Sequence, residues 1–333
     1  MAIQNPVETR ELGSSGLRVF ALALGCMGMS GMYGAADENE SISTIHAALD
    51  AGVTLLDTGD FYGSGHNEML IGRALKGHRD KALLSVKFGA LRTPDGGFGG
   101  VDTRPAAIKN FVGYSLKRLG VDYIDVYRPA RLDPHVPIED TVGAIADLIR
   151  AGYVRHVGLS EMGAATVRRA HAVHKIVDLQ IEYALVSRNP ETVIFPVLEE
   201  LGVGVTAYGV LSRGLLSGSK PAAQGDFRAH LPRFTGENIQ QNEKVIHRLK
   251  QLAAEAGVKP TQLAIAWVLA KGRYVVPVIG ARTRAQLSES LGALRVKLTE
   301  ADLARIEESI PASAIAGTRY DERQMKMLDS ERP

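Results

Sequence analysis

Short apolar segments alternate with helical segments eight times along the chain, and this repeat constrains the fold more than any other feature. The apolar segments are predicted strands that begin at Val19, Val53, Ala82, Tyr123, Val154, Val177, Val203 and Tyr274. They are apolar at successive positions, as strands of a parallel sheet covered by helices require. Eight consecutive strand–helix units predict an α/β fold, a closed (β/α)8 TIM barrel.

A doubly wound open sheet is the alternative fold. Against it, the first predicted strand, Val19–Gly25, does not lead through a Gly-x-Gly-x-x-Gly turn into a helix. The segment Thr9–Arg18 contains a Gly-Ser-Ser-Gly turn and predicts an N-terminal β-hairpin. We therefore expect one domain over residues 1–333, with a core from about residue 9 to 310, extra C-terminal helices and a polar tail over 311–333.

The charge balance and the single cysteine limit the classes of partner and the cellular compartment. Lysine and arginine number 39 against 37 acidic residues, without a long run of either sign. This balance argues against nucleic acid or an anionic membrane as the main partner. Cys26 alone cannot form an internal disulfide, which fits the cytoplasm. We expect no signal peptide, no membrane span and no metal site. The composition is compatible with a homo-oligomer.

The segment Gly52–Gly63 combines a predicted strand, Val53–Leu56, with two chemically capable side chains, Asp57 and Tyr62. Lys87 follows the next strand, so a barrel brings all three to the rim where the C-terminal strand ends meet. A phenol is a poor proton donor unless a cation lowers its pKa, and a buried ammonium needs an acidic partner. The three residues therefore predict a tyrosine that protonates a carbonyl oxygen while a hydride arrives from elsewhere. The alternative is a helix-capping aspartate, a half-buried loop tyrosine and a solvated lysine.

The eighth unit carries a candidate phosphate site. The run from Ile279 to Arg284 passes from strand to loop to helix N-terminus and includes two guanidinium groups, Arg282 and Arg284. Such a site suits a phosphate monoester, for example the 2′-phosphate of NADP. A capped surface helix with solvated arginines is the alternative.

The sequence resembles the aldo-keto reductases over nearly its full length. The matching passages are LGSSGLRVFALALGCMGMS, GVTLLDTGDFYGSGHNEMLIGRAL, SVKFG, LKRLGVDYIDVY, RAGYVRHVGLSE, LQIEYALVSR and PVIGARTRAQLSESLGAL. Within the family the chain is most similar to the branch of pyridoxal reductases and plant auxin-induced and alkaloid reductases. The resemblance implies a TIM barrel that binds NADPH without a Rossmann domain and reduces aldehydes or ketones.

The resemblance also implies roles for individual residues. Asp57, Tyr62 and Lys87 match the catalytic acid, proton donor and lysine, and Tyr208 matches the aromatic residue that stacks on the nicotinamide. The nicotinamide carboxamide is held at positions matching Ser160, Glu161 and Gln180, although many relatives have Asn in place of Glu161. The remaining implied cofactor contacts are Leu211, Ser212, Arg213 and Gly214 at the pyrophosphate, and Gly280, Arg282, Gln286, Glu289 and Ser290 at the adenosine phosphate, where Ser290 replaces the usual Asn.

The fourth strand departs from the family pattern. Relatives read Tyr-Tyr-Gln-His-Arg, whereas this chain reads Tyr127-Arg128-Pro129-Ala130-Arg131, so Ala130 occupies the position of the catalytic His. Losing one such hydrogen-bond donor commonly costs about a hundredfold to a thousandfold in turnover. Tyr62 then works alone, or Arg128, Arg131 or a water substitutes, or the pocket is enlarged for a bulkier ketone.

These observations predict an NADPH-dependent carbonyl reductase whose partner is a small-molecule carbonyl substrate. The predicted substrate pocket includes Tyr33, Phe88 and Arg128, and substrate choice is expected to depend also on the tail after Pro311. The competing class is an NADPH-binding redox sensor without turnover, motivated by Ala130.

Overall fold

The eight predicted units form a closed barrel of eight parallel strands in the computed structural model, which describes residues 8–221 and 226–332. Each strand pairs with its neighbours in chain order, and the eighth pairs with the first. The strands are Ala23–Gly25, Leu55–Gly59, Leu83–Phe88, Ile124–Pro129, Val154–Ser160, Ile176–Glu182, Gly204–Tyr208 and Val275–Gly280. The predicted (β/α)8 barrel is confirmed.

Helices cover the outside of the barrel and bury an apolar face against it. Helix Ile138–Arg150 illustrates the pattern, because Val142 and Ile145 are buried while acidic residues occupy its first turn and Arg150 its last. The other α-helices are Glu38–Asp50, His66–Ala74, Pro105–Leu119, Ala164–Val173, Pro190–Leu201, Gly236–Glu255, Pro260–Ala270, Arg284–Leu291, Glu300–Ser309 and Glu322–Lys326. Within the described ranges, none of the helices has the length and apolar character needed to cross a bilayer.

The N-terminal hairpin is larger than predicted. Thr9–Glu11 pairs antiparallel with Arg18–Phe20, and Val19 lies opposite Arg10. Val19 was predicted to begin the first barrel strand, and this prediction is wrong because the hairpin uses Val19 and Phe20, so that the barrel strand begins at Ala23. The Arg10 guanidinium donates to the carbonyl oxygens of Leu269, Gly272 and Val275, which fastens the hairpin to the start of the eighth strand.

Three segments outside the barrel strands lie at the opposite rim, and the third of them is the predicted C-terminal tail. Residues 89–102 contain a second hairpin, formed by Ala90–Arg92 and Phe98–Val101. The connection after the seventh strand contains short 3-10 helices, of which Ser212–Ser217 is the first. The C-terminal tail returns across the barrel and ends in Glu322–Lys326 and a 3-10 turn, Asp329–Glu331. These segments together form the walls above the strand ends.

Candidate active site

An open cleft of about 1430 Å³ lies at the C-terminal ends of the barrel strands. Because all eight strands run in the same direction, their ends and the following loops meet at this one rim. Most of the residues predicted from the sequence line this cleft, namely Tyr33, Asp57, Tyr62, Lys87, Ala130, Ser160, Gln180, Tyr208, Leu211, Arg213, Gly214, Gly280, Arg282, Gln286, Glu289 and Ser290.

Asp57 and Lys87 form a buried ion pair on neighbouring strands. Lys87 lies beside Gly59 in the sheet register, and its Nζ is 2.5 Å from Asp57 Oδ1. The second oxygen of the carboxylate, Oδ2, accepts hydrogen bonds from Ser85 Oγ at 2.9 Å and Gln180 Nε2 at 2.7 Å. Burial lowers the pKa of Lys87, whereas Asp57 raises it and Arg128 lowers it. Three donors therefore hold the Asp57 carboxylate in one orientation.

Tyr62 is a buried phenol at the beginning of the 3-10 helix Tyr62–Gly65. Lys87 Nζ lies 5.2 Å from the centre of the Tyr62 ring. Burial raises the pKa of Tyr62 well above its usual value, Asp57 raises it further, and Arg131 acts in the opposite sense. The expectation that Lys87 lowers this pKa is not met, because burial dominates. Tyr62 therefore retains its proton at neutral pH, and in this surrounding it is a weaker acid than a solvent-exposed tyrosine.

Ala130 is buried at the cleft wall, directly after the fourth strand. Its methyl group offers no hydrogen-bond donor. The neighbouring Arg131 donates from Nη1 to the Ala130 carbonyl oxygen at 2.6 Å and from Nη2 to the Tyr320 hydroxyl at 3.4 Å. A guanidinium therefore lies beside the position where the family pattern has His.

Phe88 and Arg128 do not line the cleft, and their assignment to the substrate pocket is corrected. Side chains alternate between the two faces of a strand, so Phe88 points away from the interior while Lys87 points into it. The Phe88 ring stacks on Tyr127 at a centroid distance of 4.2 Å and lies near Phe111 of the covering helix. Arg128 faces the barrel interior but below the cleft, where it pairs with Asp178 at 3.0 Å. Both residues are fully buried.

Glu161 is also absent from the cleft lining, contrary to its predicted contact with the cofactor carboxamide. Its backbone has a φ of +53°, and its carboxylate is completely buried. Arg319 binds it through two hydrogen bonds, Nη1–Oε1 at 2.7 Å and Nη2–Oε2 at 2.6 Å, and the Tyr208 hydroxyl donates to Oε1 at 2.8 Å. Burial would raise the pKa of Glu161, but Arg319, together with Arg131 and Ser330, outweighs burial and holds the pKa well below its usual value. The carboxylate therefore anchors the C-terminal tail.

The tail supplies cleft residues that sequence reasoning missed. The Tyr320 hydroxyl is 3.1 Å from that of Tyr208, and the Arg213 guanidinium lies 4.5 Å from the Tyr320 ring centre. Burial opposes ionisation of Tyr320, but Arg213 and Arg131 more than offset it, so the pKa of Tyr320 is lowered. The tail residues that line the cleft are Tyr320, Gln324, Met327 and Leu328. The available signal was the group of apolar residues Met325, Met327 and Leu328 near the end of the tail.

Of the two arginines of the eighth unit, Arg282 lines the outer end of the cleft and Arg284 does not. Arg284 pairs with Glu40 at 2.9 Å, outside the cleft lining. Arg282 lines the cleft and donates from Nη1 to the backbone oxygens of Tyr33 and Ala35 at 3.0 and 3.2 Å. Lys259, which sequence reasoning missed, lines the same end and pairs with Glu289 at 2.6 Å. Cations therefore remain concentrated where a phosphate was predicted.

The turn after the seventh strand forms a second cationic region. Ser212, Arg213 and Gly214 have consecutive positive φ angles of 46°, 55° and 93°. Glycine suits the φ of 93° at Gly214, and a Cβ there would lie only 3.0 Å from Arg228 Nη1. The backbone N–H groups of Ser212 and Gly214 already donate to the carbonyl oxygens of Gly209 and Leu211, so the groups of this turn that suit an anion are its guanidiniums. The donor set along the cleft thus fits a dinucleotide with phosphate groups at its centre and one end.

Comparisons with known proteins identify the family. Residues 21–311 match the Aldo/keto reductase family. The chain is 40% identical over 325 residues to a probable aldo-keto reductase 1 from Glycine max, covering 95% of this chain and 93% of that protein.

Two solved structures share the fold. A glycerol dehydrogenase from Gluconobacter oxydans is 27% identical with a TM-score of 0.82, covering 99% of this chain and 98% of that one. An aldo-keto reductase from Bacillus halodurans, in its holo form, is 29% identical with a TM-score of 0.76, covering 96% and 99%. The matched barrel and the length of the sequence match together show that the chain belongs to the aldo-keto reductase family, whose members are oxidoreductases acting on carbonyl groups.

Proposed function

We propose that this chain is an NADPH-dependent reductase of aldehydes or ketones, in which Tyr62 protonates the carbonyl oxygen. The observation that carries the proposal is the buried Asp57–Lys87 pair beside a buried, protonated Tyr62 at the floor of the cleft. When bound, the nicotinamide would supply the hydride that reduces the carbonyl carbon. Tyr62 would give its proton to the carbonyl oxygen, which completes the alcohol product. Lys87 would stabilise the negative charge left on the Tyr62 oxygen.

The cofactor residues have separate tasks in this proposal. The side-chain nitrogen of Gln180 is committed to Asp57, which leaves its carbonyl oxygen to accept from the nicotinamide amide, with Ser160 beside it. Tyr208 is held through its hydroxyl by Glu161, so its ring is positioned as a platform for the nicotinamide. Leu211, Arg213 and Gly214 would hold the pyrophosphate. The adenosine end would be held by Gly280, Arg282, Gln286, Glu289 and Ser290.

The remaining expectations belong to the same proposal. They are a single domain over residues 1–333, a cytoplasmic location, and a place in the branch of pyridoxal reductases and plant auxin-induced and alkaloid reductases. A homo-oligomer is compatible with this proposal.

The proposed activity is tested by steady-state oxidation of NADPH with a panel of aldehydes and bulky ketones. We expect turnover that depends on the carbonyl compound and yields the corresponding alcohol. The second candidate, an NADPH-binding redox sensor, is favoured by the absence of a donor at Ala130. Tight NADPH binding without turnover on any member of the panel would favour the sensor.

Replacement of Arg282 by alanine tests the choice of cofactor. We expect NADPH to bind roughly tenfold to a hundredfold more weakly, because a charged hydrogen bond to the 2′-phosphate is lost. NADH lacks this phosphate, so its dissociation constant should change by less than about threefold. Fluorescence titration measures both constants.

Arg284→Ala is the matched control for Arg282→Ala. It removes a neighbouring guanidinium that pairs with Glu40 and does not line the cleft. We expect it to leave both cofactor affinities nearly unchanged. Equal weakening of NADPH and NADH by Arg282→Ala would contradict the phosphate assignment.

A further inference from the structure

A second buried ion pair lies inside the barrel below the catalytic residues. Arg128 of the fourth strand and Asp178 of the sixth are both completely inaccessible to solvent, and Nη1 of Arg128 is 3.0 Å from Oδ2 of Asp178. Thr206 of the seventh strand donates to the same carboxylate oxygen at 2.5 Å and accepts from Arg128 at 3.1 Å. This group links three strands across the barrel interior.

The pair connects to the candidate active site through one hydroxyl. Arg128 Nη2 donates to Ser85 Oγ at 3.0 Å, and Ser85 donates to Asp57 Oδ2 at 2.9 Å. A guanidinium has no acceptor and does not lose its proton in proteins. The Ser85 oxygen must therefore accept from Arg128, which commits the one proton of the Ser85 hydroxyl to Asp57.

Stability does not explain why this pair is present. Two charges buried together commonly contribute no more stability than apolar residues of similar volume. Here Arg128 Nε and Asp178 Oδ1 also have no hydrogen-bond partner among the described residues, which adds a desolvation cost. A Cβ at Gly158 of the fifth strand would lie 2.7 Å from Asp178 Oδ1 and 3.2 Å from Arg128 Cζ. The barrel thus omits a side chain at Gly158 to make room for the pair.

We propose that Arg128, held by Asp178, is a positioning residue that orients the Asp57–Lys87 pair through the Ser85 hydroxyl. This inference rests on the proposed reductase function. The hydrogen bonds run in one direction, from Arg128 to Ser85 to Asp57, and Asp57 in turn accepts from Lys87. With the relay intact, the carboxylate holds the Lys87 ammonium group at the floor of the cleft, near the face of Tyr62. Without the Arg128–Ser85–Asp57 relay, no guanidinium fixes the Ser85 hydroxyl, so the hydroxyl is free to rotate and Asp57 loses one of its three donors.

A thermodynamic cycle tests the relay. The variants are Ser85→Ala, the paired replacement Arg128→Met with Asp178→Leu, and the combination of all three changes. We expect Ser85→Ala and the paired replacement each to lower kcat by roughly tenfold to a hundredfold, the worth of a charged hydrogen bond. The combined variant should show no further loss, because both changes break the same chain of contacts. KM for the aldehyde and the NADPH dissociation constant should change by less than about threefold.

Two additional variants separate positioning from a structural role. Thr141→Val removes a hydroxyl that is equally buried, in the helix Ile138–Arg150, and should lower stability without lowering kcat. Ser85→Thr keeps the hydroxyl and should retain most of the turnover, which decides the question even if the paired replacement does not fold.

Three results would overturn the inference. Losses in kcat that multiply in the combined variant would show that Ser85 and Arg128 act independently. Unchanged kcat in a folded paired variant, or a Ser85→Thr enzyme as slow as Ser85→Ala, would show that the relay does not position Asp57. These outcomes presuppose an active wild-type protein and leave the proposed function standing. A wild-type protein without turnover would contradict the proposed function and this inference together.

Discussion

Replacement of Tyr62 by phenylalanine is expected to lower kcat for carbonyl reduction by roughly a hundredfold to ten-thousandfold, the usual contribution of a positioned general acid. The side chain at Ala130 cannot donate a hydrogen bond, so more of the proton donation rests on Tyr62. Stopped-flow or steady-state NADPH oxidation at neutral pH measures the loss. NADPH affinity should stay within about twofold of wild type, since the ring and its packing are retained.

Tyr127→Phe is the matched control for Tyr62→Phe. It removes another buried phenol hydroxyl, one without a hydrogen-bond partner among the described residues, from a ring that stacks on Phe88 outside the cleft lining. We expect kcat to be unchanged. Retention of most of the activity by Tyr62→Phe would remove Tyr62 as the acid.

The raised pKa of Tyr62 predicts the pH dependence of the same reaction. Because burial and Asp57 raise the pKa, the phenol keeps its proton beyond the ordinary range of tyrosine, about pH 10. Ionisation of Tyr62 should therefore not limit reduction between pH 7 and about 10 in wild type.

Replacement of Arg319 by leucine should lower the free energy of unfolding by about 3–5 kcal/mol, far more than replacement of an exposed arginine. The change leaves the Glu161 carboxylate buried without its ion-pair partner. Because the pKa of Glu161 is lowered in the folded protein, the pair stabilises the fold above the ordinary pKa of glutamate, about 4.3. This stabilisation is lost as the pH falls through the lower, folded-state pKa. The difference between wild type and variant should thus be larger at pH 7 than at pH 4.

Urea unfolding at both pH values measures this difference, and limited proteolysis after residue 311 reports release of the tail. Arg332→Leu is the control, because Arg332 is exposed and lies 3.8 Å from Asp329. It should change the unfolding free energy by less than about 0.5 kcal/mol. An Arg319→Leu protein as stable as this control would show that the ion pair does not hold the tail.

The anchoring of the tail by Glu161 changes the interpretation of the substrate end of the cleft. The Tyr320 hydroxyl lies within hydrogen-bond distance of Tyr208 and Arg131, so a residue near the C-terminus contacts the hydroxyl of the tyrosine whose ring is proposed to support the nicotinamide. Tail release should therefore alter KM for the carbonyl substrate as well as stability. The sequence predicted that the tail influences substrate choice but did not indicate which residues do so, since its key side chains are an arginine and a tyrosine that meet their partners only in the folded barrel.

Local sequence information was sufficient to predict the barrel and the position of its chemistry. Strand and helix periodicities follow from which residues face the core, and the C-terminal ends of parallel strands must meet at one rim. This logic placed Asp57, Tyr62 and Lys87 together, and the structure brings them to the same cleft. It failed at Val19 because a hairpin and a barrel strand have the same short apolar pattern.

The tertiary structure decided which charged groups meet and how deeply each is buried. Glu161 and Arg319 are separated by 158 positions, and Arg128 and Asp178 by 50. No local pattern predicts such partners, because the stability of a buried charge depends on the groups that surround it after folding. The sequence alone determined the barrel and the chemical groups available at its rim. Only the folded chain decided that Glu161 binds the tail, that Arg128 lies beneath the site, and that burial keeps the proton on Tyr62.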